Sequence, residues 1–183
     1  MLPELQVGDG KGGINFKEVV RDCAATFSED TQIARPDVTI LFLNGATFPN
    51  LFDNGRTLVG CPSDFRARYE AAREVAISDL TAYGGIAILT TDPPAEGWHA
   101  GPIQRERADC QNALYREFSE RNSERVALID VANWTCPDGK CVQEIDGHPL
   151  REDGIHYIGP GADYLLDWLI PQVKAIVAQR RST

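Results

Sequence analysis

Tyr83-Gly84-Gly85-Ile86-Ala87-Ile88-Leu89-Thr90-Thr91-Asp92-Pro93 is the stretch on which the fold turns. Two glycines end the preceding helical pattern, an unbroken apolar run follows, and a loop bearing proline closes it. A run without polar alternation reads as a strand buried on both faces, the habit of parallel sheets covered by helices. Working outward, two other segments share this character. Val38-Thr39-Ile40-Leu41-Phe42-Leu43 is launched by Arg35-Pro36-Asp37 and ended by Asn44-Gly45, and Val126-Ala127-Leu128-Ile129-Asp130 ends on a carboxylate. Between and after them the apolar spacing turns helical. After Ser63, an N-cap candidate, come Phe65, Tyr69, Ala72, Ala76 and Leu80. A helix over about 104–122 carries Cys110, Leu114 and Phe118 on one face. A last helix over about 161–179 carries Tyr164, Leu165, Trp168 and Leu169, with Pro171 predicted to kink it. A short helix is also predicted over 16–26, after an irregular, glycine-bearing start over 1–14. This alternation predicts an α/β fold, a parallel sheet with helices on both faces and active residues in loops at the C-terminal strand ends.

The chain has 183 residues, 43% hydrophobic and 25% charged, which suits one globular domain and excludes collagen-like, coiled-coil and disordered classes. Its formal charge of -9 repels phosphate backbones and anionic lipid heads, so nucleic acid is not an expected partner. No apolar run approaches the ~20 residues of a spanning helix. Met1-Leu2-Pro3-Glu4-Leu5 lacks the pattern of a signal peptide. Five cysteines, at 23, 61, 110, 136 and 141, are an odd number and many for a small cytosolic protein. Cys136 and Cys141 bracket Pro137-Asp138-Gly139, a turn that brings their sulfurs together for a disulfide. Zinc is the rival reading, but no second cysteine pair completes a ligand set. A disulfide implies an oxidising compartment, which the missing targeting signal contradicts unless the chain belongs to something longer.

The sharpest chemical signal is Asp153 and His156, three residues apart in a loop before the last helix. A carboxylate at that distance can fix the imidazole's tautomer and stabilise the imidazolium formed when it accepts a proton. The plainer alternative is that Asp153 caps a turn, Gly154 supplies a positive φ and His156 is a half-buried loop residue. Trp98 and His99 are candidates for an acceptor groove or mere connection, and His148 reads as a surface residue. A flavin or nucleotide site is disfavoured by the lack of a glycine-rich phosphate loop between strand and helix, so no cofactor and no metal are expected.

From Ala34 onward the chain resembles the SGNH hydrolase-like domain at the C-terminus of bacterial membrane O-acyltransferases of the acyltransferase-3 type. The resemblance rests on ordered landmarks: Arg35-Pro36-Asp37, Leu43-Asn44-Gly45-Ala46, the 83–93 stretch, Val126 to Asp130 followed by Cys136-Pro137, Ile145-Asp146-Gly147, and Asp153-Gly154-Ile155-His156-Tyr157. It implies a three-layer sandwich on a flavodoxin-like parallel sheet, one domain over 1–183 with a poorly matched segment at 1–33. It also implies the His and Asp of a Ser-His-Asp triad at His156 and Asp153, with Asn44 and Gly45 as lesser candidates for oxyanion or substrate contact. The implied chemistry is acyl transfer, typically of acetyl groups, to or from cell-surface glycans, with an acylated carbohydrate or acyl donor as partner. A membrane acyltransferase domain in a longer protein and a periplasmic or cell-surface location are also implied.

The departure is the nucleophile, which relatives carry in a Gly-Asp-Ser turn after their first strand. Gly8-Asp9-Gly10 has glycine where the hydroxyl belongs, and it reads as a loop rather than a degenerate nucleophile turn. Ser63, Ser78, Ser119 and Ser123 sit on or beside helices and Ser28 precedes the strand. The chain is therefore expected to lack its first strand and nucleophile, to be inactive or incomplete as a serine esterase, and to expose the flank of Val38–Leu43 as a self-associating edge. The alternative is a non-catalytic domain that binds glycan or a partner.

Overall fold

The computed structural model describes residues 5–6, 26–42, 51–53, 56–58, 63–97 and 100–182. The predicted helix over 16–26 and the Gly8-Asp9-Gly10 turn fall almost wholly outside these. A helix α1 occupies 26–34 and stops where Arg35 turns to φ 43° before Pro36. Strands β2 (Val38–Leu41), β5 (Ile86–Thr90) and β6 (Val126–Ile129) form a parallel sheet in the order β2-β5-β6. Val38 lies opposite Ile86, and Ala87 opposite Val126. Two smaller antiparallel sheets accompany it: β1 (Leu5–Gln6) with β3 (Leu51–Asp53) and β4 (Arg56–Leu58), and β7 (Glu144–Ile145) with β8 (His148–Pro149). The chain is thus a mixed α/β fold built on three parallel strands.

Successive residues of β5 feed two separate cores, because side chains alternate across a strand. Ala87 and Leu89 join Ile77 and Leu80 of α2 (Ser63–Leu80) and Tyr115 and Phe118 of α3 (Pro102–Arg121). Ile86 and Ile88 join Val131 of α4 (Val131–Thr135) and Leu165 and Leu169 of α5 (Pro160–Arg180) on the other face. All five residues of β5 are buried, as its unbroken apolar run requires. Gly85 admits the strand, since a Cβ there would lie 2.2 Å from the carbonyl oxygen of Pro36. Helix α3 starts at Pro102, two residues before its predicted start, because proline at a first turn forfeits no hydrogen bond. Helix α5 runs on through Pro171.

The expectation of full burial fails for the two flanking strands. Ile40 of β2 is 37% exposed and the following Phe42 51%, while Ala127 and Leu128 of β6 are only half-buried. Among the described residues both strands have a sheet neighbour on one side alone, so helices cover their faces less completely than those of β5. The buried face of α2 also differs from the predicted stripe, because it is centred on Arg73. That guanidinium lies over the rings of Tyr69, Tyr115 and Phe118 at 4.7, 4.6 and 5.1 Å and donates to the Leu114 carbonyl oxygen at 2.9 Å. Three aromatic faces and one carbonyl offset part of the hydration an arginine loses on burial, and the loss still lowers its pKa.

Cys136 and Cys141 are joined in a disulfide, as expected from their spacing. Pro137 to Gly139 form one tight helical turn between them, with Asp138 at φ 53° and Gly139 at φ 75°. Cys110 is disulfide-bonded as well. Asp146-Gly147 closes the β7–β8 hairpin as a tight turn, both residues having positive φ. Among the described residues no helix is long and apolar enough to cross a membrane.

Candidate active site

Asp153 and His156 meet. Nδ1 of His156 lies 2.6 Å from Oδ2 of Asp153, and the other carboxylate oxygen accepts the backbone N–H groups of Ile155 at 2.9 Å and His156 at 2.7 Å. The loop therefore does two things at once, since the side chain that orients the imidazole also organises the backbone carrying it. The hydrogen bond from His156, then those from the backbone of His156 and Ile155, holds the Asp153 carboxyl well below the usual carboxylate range. An ionised Asp153 can only accept, so Nδ1 of His156 donates to it and Nε2 is the nitrogen that can take a proton. His156 is exposed, not half-buried, and the turn-capping role proposed as the plainer alternative is present together with the dyad.

The dyad borders a cavity of about 280 Å³ lined by Phe42, Thr90, Thr91, Asp92, Pro93 and Tyr157, among others. Apart from Tyr157, which belongs to the loop of Asp153 and His156, these residues come from the C-terminal ends of β2 and β5 and from the loops after them, where parallel sheets hold ligands. The ends are fixed by polar ties. Thr90 Oγ1 donates to the Leu41 carbonyl oxygen at 3.1 Å, and the Asn112 amide clamps Asp92, accepting from its N–H at 2.7 Å and donating to its carbonyl oxygen at 2.8 Å. Thr91 Oγ1 donates to Asp130 at 2.7 Å and accepts the Ala132 N–H at 2.9 Å. Burial raises the Asp130 carboxyl, but hydrogen bonds from Thr91, Arg116 and the Asn133 N–H outweigh it and leave the group below its ordinary range. Tyr157 is tied to Thr135 by a hydroxyl–hydroxyl bond, and burial pushes its phenol up, so it stays neutral.

What holds the dyad loop was not visible in the sequence. Arg151, with a side chain 2% exposed, makes an ion pair with Glu96 at 2.8 Å, donates to the Pro94 carbonyl oxygen at 3.0 Å and reaches Cys136 Sγ at 3.8 Å. Glu96 in turn accepts from Gln143 at 3.0 Å, and its N–H donates to the Gly154 carbonyl oxygen at 3.0 Å. Gly154 has φ 79°, and a Cβ there would lie 2.6 Å from the Glu96 carbonyl oxygen, so both conformation and contact demand glycine. One arginine thus links the Pro93–Glu96 loop, the disulfide and the loop of Asp153 and His156. No local pattern distinguishes it from a solvated surface arginine.

The remaining candidates divide by position. Asn44 and Gly45 lie outside the described residues, as do Trp98 and His99. His148 is exposed on β8, as expected. No serine lines the cavity among the described residues. Ser119 donates to the Arg116 carbonyl oxygen within its own helix. Among the described residues no group of three or more His, Cys, Asp or Glu side chains is arranged to hold a metal ion. Neither a protein-family model nor a curated protein matches the chain.

Proposed function

We propose that the chain carries the acid–base half of an SGNH-type acyl ester hydrolase or O-acyltransferase domain, acting on acyl groups, typically acetyl, of cell-surface glycans. The carrying observation is the 2.6 Å contact of Asp153 with His156 at the mouth of a cavity formed at the C-terminal strand ends. With Nδ1 held by Asp153, Nε2 accepts the proton of an attacking hydroxyl. The oxygen then adds to the acyl carbon, and collapse of the tetrahedral intermediate expels the sugar alkoxide, which takes the proton back from the imidazolium. In the complete family pattern the hydroxyl is a serine and the product an acyl-enzyme. With no serine on the cavity wall among the described residues, this chain is left with water as the attacking group and a slow, one-step hydrolysis. The disulfides and the resemblance to extracytoplasmic domains support a periplasmic or cell-surface setting.

A second reading, a non-catalytic domain that binds glycan or a partner, draws on the same lack of a serine at the cavity. Turnover of a chromogenic acetyl ester, followed from the first milliseconds and combined with fluorophosphonate labelling, tests the incomplete-triad account. It predicts steady turnover without a burst and no labelled serine. A stoichiometric burst or a labelled serine would show that the nucleophile is in the chain.

A further inference from the structure

The opposite edge of the sheet carries a second, larger concavity that the dyad does not use. It measures about 510 Å³, within the roughly 300–1,000 Å³ of small-ligand sites, and runs between β6 and α5. Its apolar wall includes Trp134 and Trp168, stacked on each other with ring centroids 4.9 Å apart and planes 16° from parallel. Both indoles are half-buried, so the pair is held rigid and still meets solvent.

The polar lining is of one kind. Asn133, Gln172 and Gln179 place exposed amides along the groove, and among the described residues none of these side chains is hydrogen-bonded to protein. Among the described residues the only charged one in the lining is Asp130, whose carboxylate is already occupied by Thr91 at 2.7 Å and Arg116 at 3.0 Å. No described lysine, arginine or histidine lines the groove to compensate a phosphate, sulfate or carboxylate ligand. A purely apolar ligand would cover three amides and lose their hydration without replacement. The chemistry that matches a fixed aromatic surface flanked by planar donor–acceptor amides is a pyranose ring. Its axial C–H face stacks on an indole, and its equatorial hydroxyls both donate and accept.

We propose that this groove binds a neutral saccharide. The inference goes beyond the acyl-ester reading and does not depend on it. Thr91 lines the dyad cavity and bonds Asp130 of the groove, so one hydrogen bond joins the walls of the two sites.

The test is a titration of the full chain with two neutral probes, cellotriose and N,N′,N″-triacetylchitotriose, read by the indole ¹H–¹⁵N resonances. The groove predicts saturable shifts of the Trp134 and Trp168 resonances with at least one probe. Gln172→Ala and Gln179→Ala, exposed changes that leave the fold intact, are each expected to weaken binding about threefold or more, and His156→Ala to leave it unchanged. No saturation with either probe in the millimolar range would overturn the proposal. So would shifts confined to Trp98, or binding lost with His156→Ala but retained in the glutamine variants. Acetyl-ester turnover of the glutamine variants stays at the wild-type level, which keeps failure of this site distinct from failure of the dyad.

Discussion

Arg151→Met removes a buried cation that joins three loops, and its effect follows from the ion pair and hydrogen bonds it breaks. Breaking a buried ion pair by deleting one partner costs about 3–5 kcal/mol when the remaining charge is fully dry. Glu96 retains the Gln143 bond and a side chain 28% exposed, so water meets part of its demand. That reduces this contribution to about 1.5–2 kcal/mol. The Pro94 carbonyl oxygen loses its donor, for about 1 kcal/mol more. Against this, Arg151 Nε is itself buried without a partner among the described residues, a penalty the methionine relieves. The net expectation is a loss of about 2–3 kcal/mol. With a urea slope of about 2 kcal/mol/M for a domain of this size, the midpoint falls by roughly 1–1.5 M. Urea unfolding followed by circular dichroism measures it. Adding Glu96→Gln to Arg151→Met removes the stranded charge and is expected to restore about half of the loss. A single-variant shift below about 0.3 M, or a double variant less stable than the single, would refute the claim that this pair secures the loop.

Replacing Cys136 and Cys141 by alanine is expected to lower stability by about 2 kcal/mol, the chain-entropy value for so short a loop. Peptide mapping of non-reduced, alkylated protein should recover the two cysteines as one linked peptide; alkylation of both would reject the bond. Asp153 has a lowered folded pKa, so its contribution is present above its unfolded value near ~3.9 and fades as pH falls towards the folded one. The stability gap between wild type and Asp153→Asn should therefore narrow as pH falls below about 4. A gap that stays level or widens below about pH 4 contradicts the assignment. Ile88→Ala is expected to cost about 3–4 kcal/mol at a fully buried central position, and Ile40→Ala under about 1.5 kcal/mol at the exposed flank. Equal losses on thermal melting would show that β2 is not an edge.

Strand β5 was legible because its burial is decided locally: five residues without a charge cannot face water on either side. The same pattern misled for β2 and β6, since Ile40 and Leu128 look in sequence like Ile88, and only sheet order decides which strand has neighbours on both sides. Asp153 and His156 were legible because both lie on one tight loop three residues apart, so their contact is set by local spacing. Arg151 and Arg73 were not. Their partners Glu96, Pro94, Leu114 and Tyr115 are distant in sequence, and an arginine gives no local sign that its charge will be buried. Helix α4 was missed for a related reason. Its five residues are too short for a period, and its cap at Asp130 reads equally well as the end of a strand.

Acetate release from an O-acetylated oligosaccharide, compared between wild type and His156→Ala, addresses the central claim most directly. The account predicts slow release by the wild type above the solution rate, lowered about 10²-fold or to the solution rate in His156→Ala, the worth of a positioned general base. Asp153→Asn should fall between the two, having lost the group that fixes the imidazole. Equal rates for wild type and His156→Ala would contradict the account and leave Asp153 and His156 as a turn without chemistry.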